Sequence, residues 1–132
     1  LNEKTSVAEK ALMVVPVVIE GRQGRLRSAY FEPDTEILIE ASRPALDAVG
    51  QELAANPSLR LHMQAYTAPV KTPEGRLMVS RERAAFCQEY FTSRYGIAPS
   101  RMTRSLYGSE KTPLMATDDM ESLRCVELII LE

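Results

Sequence analysis

Residues 59–66 limit the possible folds most. Leu59, Leu61, Met63 and Ala65 alternate with Arg60, His62 and Gln64. A period of two puts the apolar set on one face of a strand and the polar set on the other. His62 falls on the polar side and reads as an exposed sheet residue. Further on, Ala84, Cys87, Gln88 and Phe91 recur at helical spacing, with Tyr90 on the flank. Ser80 is the expected N-cap of that helix and Gly96 its stop. Between strand and helix, Thr67–Leu77 carries Pro69, Pro73 and Gly75 and reads as a loop. A half-buried strand feeding an amphipathic helix calls for a sheet covered by helices.

The flanking segments agree. Leu12–Ile19 is rich in β-branched residues, and Pro16 suits an edge or a bulge. Gly21–Gly24 is a turn signal, and Leu26, Ser28 and Tyr30 then alternate, so 12–20 and 25–31 are expected to pair as a hairpin. The cluster Arg22, Arg25, Arg27 reads as a solvated turn rather than an anion patch. Residues 1–10 are polar and suit a tail or a frayed helix. A helix is expected near 43–55. Ser42 is its N-cap, Pro44 lies in the first turn, Leu46, Val49, Gly50 and Leu53 form the stripe, and Asn56-Pro57 ends it. Further strands are expected over 101–107 and 124–131, with Thr117–Ser122 a short acidic helix or loop. Val126, Leu128 and Ile130 should face the helices, which turns Cys125 and Glu127 to the other face.

Five segments together resemble the OmpA-like domain. Ala65-Tyr66-Thr67-Ala68, followed by Arg76 … Ser80 … Arg83-Ala84, is similar to that family's Gly-His/Tyr-Thr-Asp … Asn … Ser … Arg-Ala signature. Phe31–Pro57, Tyr95–Pro99, Tyr107–Pro113 and Leu123–Leu128 fit its other segments in order. The resemblance spans about residues 29–131. It implies an α/β (α+β) two-layer sandwich, a mixed sheet with helices on one face. The domain is expected over 29–132, with 1–28 an N-terminal extension or linker that adds a hairpin or strand. Three positions depart from the signature: Ala65 for glycine, Ala68 for aspartate and Arg76 for asparagine.

Those departures bear on chemistry. The resemblance implies recognition of the diaminopimelate of a peptidoglycan stem peptide, whose free end is a zwitterion. An arginine holds its carboxylate through a two-pronged contact, and an aspartate holds its ammonium. Arg83 retains the first role, and the expected helix start would add free N–H groups beside it. Ala68 leaves the second role empty, and Arg76 adds a cation in its place. Tyr66, Thr67, Ala68, Arg76, Ser80 and Arg83 are therefore the expected remnants of the site. Glu74 is the possible substitute acid, or else the salt-bridge partner of a purely structural Arg83.

Other functions find little support. Sixteen basic and eighteen acidic residues give a net charge of −2, so no basic field draws nucleic acid. His62 is the only histidine and the two cysteines lack Cys-x-x-Cys spacing, so neither a metal nor another cofactor is expected. Ser80 has no base at fixed spacing, and no catalytic residue is expected. The longest apolar run, Ala11–Ile19, is too short to span a bilayer. The chain begins at Leu1 and is expected to be part of a longer protein. The expected setting is the periplasm, with association to the outer membrane through the rest of that chain. Its other partners are expected to be further domains of that chain or other envelope proteins.

Overall fold

The computed structural model describes residues 6–132. Residues 1–5 of the expected polar tail lie outside that range. Val7–Lys10 forms a one-turn helix, α1, closed by a capping box. In it Ser6 Oγ accepts from the Glu9 N–H, and the Glu9 carboxylate accepts from the Ser6 N–H. Besides three short 3-10 helices, the remaining elements are β1 (Val15–Ile19), β2 (Arg22–Tyr30), α2 (Arg43–Ala55), β3 (Arg60–Tyr66), α3 (Pro73–Tyr95), β4 (Met102–Gly108) and β5 (Cys125–Leu131).

The strands form one mixed sheet in the order β1-β2-β5-β3-β4. Among the described residues only β3 and β4 pair in parallel. A parallel pair needs a crossover, and α3 supplies it. Helices α2 and α3 cover one face. There Ala29, Phe31, Leu61, Met63, Ala65, Val126, Leu128 and Ile130 pack against Leu46, Val49, Leu53, Ala84, Cys87 and Phe91. Each large aliphatic side chain buried there contributes about 1.5–3 kcal/mol. The expected alternation along 59–66 and 124–131 is thus the alternation of the core. On the opposite face, α1 and the 109–124 segment cover one end. Ala11, Tyr30, Tyr66 and Cys125 form a small second cluster there. Cys87 and Cys125 are free, buried and on opposite faces.

Several boundaries differ from the sequence reading. The hairpin turn is Glu20-Gly21, both with positive φ (49° and 79°), a two-residue type I′ connection. Gly24, assigned above to the turn, lies inside β2, where a Cβ would meet Ile130 O at 2.9 Å. Ile19 pairs with Arg22 next to the turn, so Ile19, Val17 and Val15 aim their backbone groups at β2. Pro16 then points its nitrogen outward, where no ladder bond is lost. The arginines near this turn are strand residues, and Arg25 pairs with Glu52 of α2. Ser42 does not cap α2 with its side chain. Its buried Oγ instead accepts the Tyr30 N–H at 2.8 Å.

The largest correction concerns α3. It starts at Pro73, not Ser80, and its N-cap is Thr72, whose Oγ1 accepts the Gly75 N–H at 3.0 Å. Pro73 sits in the first turn, where its missing N–H is harmless, so it starts the helix instead of breaking it. Glu74 and Arg76 therefore belong to the helix and not to a loop. Gly96, in the left-handed region at φ 67°, ends α3 as expected.

Close packing of α2 on α3 yields a stability prediction. A Cβ on Gly50 would lie 2.3–2.7 Å from the Tyr95 ring, whose hydroxyl donates to Asp47 Oδ1 at 2.7 Å. Gly50→Ala gains about 1 kcal/mol of helix propensity. It also overpacks the contact, at about 1–3 kcal/mol, and breaks a bond worth about 0.5–1.5 kcal/mol. We expect a net loss of about 1–2 kcal/mol in urea unfolding; a stabilised variant would contradict this packing.

Candidate functional site

Thr67, Ala68, Ser80 and Arg83 lie at one end of the sheet, where β3 runs out and α3 passes beneath. Arg83 is central. It lies about three turns into α3, far from the free N–H groups of the first turn, so the helix terminus does not serve it. The residue is 1% exposed. Its Nε donates to Thr35 O at 2.8 Å, Nη1 to Tyr66 O at 2.9 Å and Nη2 to Glu32 O at 3.0 Å. The guanidinium also lies 5.5 Å from the centre of the Phe31 ring. Burial lowers its pKa to about 10, and Asp34 and Glu36 on the neighbouring loop oppose that shift. Its observed partners are three backbone carbonyls, which tie the 32–37 loop to the end of β3.

Thr67 and Ala68 follow directly. Both are buried, at 6% and 3% exposure. The Thr67 N–H donates to Gly108 O at 2.8 Å, and its hydroxyl donates to Ala68 O at 3.1 Å. Ser80, fully buried in α3, donates to Arg76 O and accepts the Gly108 N–H at 2.9 Å. It links helix to strand and caps nothing. Arg76 donates through Nε to Val70 O, through Nη1 to Ser109 Oγ and through Nη2 to Lys71 O. Its guanidinium thus fastens Val70 and Lys71 to Ser109.

Glu74 stands on the first turn of α3 and is exposed. Nine residues separate it from Arg83, about 14 Å along the helix axis. The structure does not bring the two together, either as an ion pair or as two sides of one small zwitterion. The acids electrostatically coupled to Arg83 are Asp34 and Glu36, which sequence reasoning missed. Thr35 and Glu32 were missed too; they act through main-chain oxygens, which side-chain identity does not reveal. Thr72 could have been found, since Thr-Pro-Glu is itself a helix-start pattern.

Tyr66 looks the other way. Its hydroxyl donates to Glu127 Oε1 at 2.6 Å, and its ring lies 5.5 Å from that of Tyr107. Burial, then the Glu127 carboxylate, push its phenol well above the usual range. Burial does the same to Tyr30. His62 is half-buried between Thr103 Oγ1 at 2.8 Å and Ser105 Oγ at 3.3 Å, and burial lowers its pKa. Among the described residues, no group of three or more His, Cys, Asp or Glu side chains could hold a metal. Among them, too, no helix is long and apolar enough to cross a membrane.

Residues 30–122 match the model of the OmpA family, and the chain belongs to that family. Solved structures share its fold. An outer membrane protein from Borrelia burgdorferi B31 superposes with a TM-score of 0.71 at 15% identity, covering 91% of this chain and 98% of its own. The peptidoglycan-associated lipoprotein from Burkholderia pseudomallei gives 0.69 at 24% identity, covering 79% and 89%. The periplasmic domain of Helicobacter pylori MotB gives 0.67 at 13% identity, covering 90% and 82%. No curated protein matches the chain.

Two measurements check this geometry. Replacing Arg83 with Met removes the donors of three carbonyls and leaves a well-filled apolar stem. We expect a loss of about 3 kcal/mol or more, because charged hydrogen bonds contribute about 1.5–3 kcal/mol each. Arg83→Lys should rescue little, since an ammonium does not reproduce the fork. A melting temperature unchanged in the Met variant would contradict the role. The second measurement is spectrophotometric. Tyr30 and Tyr66 have native pKa values above their unfolded value of 10.0. The folded state therefore binds more protons above that pH. Their stabilisation is fully present below pH 10 and is lost as pH rises beyond it. Alkaline titration should show these tyrosines ionising only with unfolding; reversible ionisation of all five near pH 10 in folded protein would contradict it.

Proposed function

We propose that this is a non-catalytic OmpA-like envelope domain whose diaminopimelate clamp is lost or strongly weakened, retained as a scaffold or interaction module of a larger periplasmic protein. The carrying observation is the state of the two clamp positions. Arg83 is 1% exposed and engaged by three carbonyls, while Ala68 offers no charge. A free zwitterion would meet one buried cation and no acid. Losing the charged contact to the ammonium alone weakens binding by about 10- to 150-fold, the equivalent of about 1.5–3 kcal/mol. Arg76 adds to the effect, because its cation braces the loop that would have to accept an ammonium. The similarity to a peptidoglycan-associated lipoprotein and to a periplasmic domain supports the envelope setting.

A working cell-wall binder that uses Glu74 is the second reading. Glu74 lies too far along α3 to share one amino acid with Arg83, so a binder of that kind would need a different ligand pose.

Calorimetric titration with a diaminopimelate-containing stem peptide tests the proposal. Wild type should bind weakly or not measurably. Ala68→Asp with Arg76→Asn should gain about 10- to 150-fold over wild type, the return of one charged contact. Tight wild-type binding would overturn the proposal. Wild-type binding that survives Arg83→Lys but falls with Glu74→Gln would favour the second reading.

A further inference from the structure

The sheet face away from α2 and α3 holds a groove of about 370 Å³ between β1 and the 109–124 segment. Its walls are apolar: Val17 and Ile19 of β1, Leu26 of β2 and Ile129 of β5. At one end stand Gln64 and Glu127. Glu127 is 1% exposed. Its Oε1 accepts from Tyr66 Oη at 2.6 Å and from Gln64 Nε2 at 2.9 Å, and its Oε2 accepts the Leu114 N–H at 2.5 Å. All three donors are neutral. Among the described residues Glu127 forms no ion pair. The buried Lys10 donates to Thr117 Oγ1 instead. A carboxylate has about four acceptor sites, so Oε2 keeps one open.

We propose that this groove takes the side chain of a lysine from a partner polypeptide, with the ammonium on Glu127 and the stem along Leu26 and Ile129. A desolvated carboxylate with no counter-ion among the described residues, at the end of an apolar trough, is complementary to a cation with an apolar stem. The dimensions agree: two residues along β5, from Ile129 to Glu127, span about 6.6 Å, close to the reach of a four-carbon stem. The open acceptor site selects lysine over arginine. A guanidinium fork needs both oxygens, and Oε1 already holds two bonds. The groove is separate from the Arg83 region, so this inference does not depend on the fate of the cell-wall clamp.

The test is a two-dimensional NMR titration of the folded domain with Nα-acetyl-lysine N-methylamide. Nα-acetyl-norleucine N-methylamide, which keeps the four-carbon stem and lacks the ammonium, is the control. Saturable shifts at the amides of Leu26, Glu127 and Ile129, at least tenfold weaker with the norleucine compound, are expected. Glu127→Gln should abolish the difference between the two probes. Should that variant fold poorly, Val17→Trp fills the groove from its partly exposed wall without touching the Glu127 hydrogen bonds, and should abolish the shifts. Equal response to both probes, shifts confined to other surfaces, or lysine binding that survives Val17→Trp would each overturn the proposal.

Discussion

One buried guanidinium organises the end of the sheet where the site residues meet. Arg83 comes from the middle of a helix, yet its donors reach two segments distant in sequence, the 32–37 loop and the close of β3. Burying a cation is tolerable only when its donors are met. Here carbonyl dipoles meet them, and no carboxylate does. A carbonyl dipole attracts less than a full charge but makes no competing ion pair. The arrangement fixes backbone positions, while the acids Asp34 and Glu36 lie close enough to temper the cost of desolvation. Arg83 thus ties together segments of the fold itself.

The same economy shows around Arg76 and Ser80. Both make internal contacts: Arg76 with the 68–72 loop and Ser109, Ser80 with Arg76 and Gly108. These bonds hold helix, loop and strand end as one unit. A scaffold benefits from such internal satisfaction, whereas a binding pocket must leave some donors open for its ligand.

Much of the fold was legible because burial follows period. The alternation of 59–66, the stripe of 46–53 and the apolar set of β5 each declared their buried face. Boundaries were less legible, because turn residues carry two meanings. Pro73 and Gly75 read as loop, yet Thr72 before them made that proline a first-turn residue. The site was only half legible. Sequence singled out Arg83, Thr67 and Ala68, and the structure sets Arg83 against the Tyr66 carbonyl that precedes the other two. It did not reveal that Arg83 binds main-chain oxygens, since any residue supplies those. Nor did it reveal Glu127, which looks like an ordinary polar alternation in a strand and turns out to be a buried carboxylate with three donors.

The position of β5 has a consequence for how the molecule comes into being. It is central in space, paired with both β2 and β3, yet last of the five strands in sequence. During synthesis the β1–β2 hairpin and the β3–α3–β4 unit emerge first, each with an unmatched ladder and an apolar flank. Within the sheet the two are joined only through Cys125–Leu131. Closing contacts across about a hundred residues is slow, and unpaired edges held open meanwhile invite wrong partners.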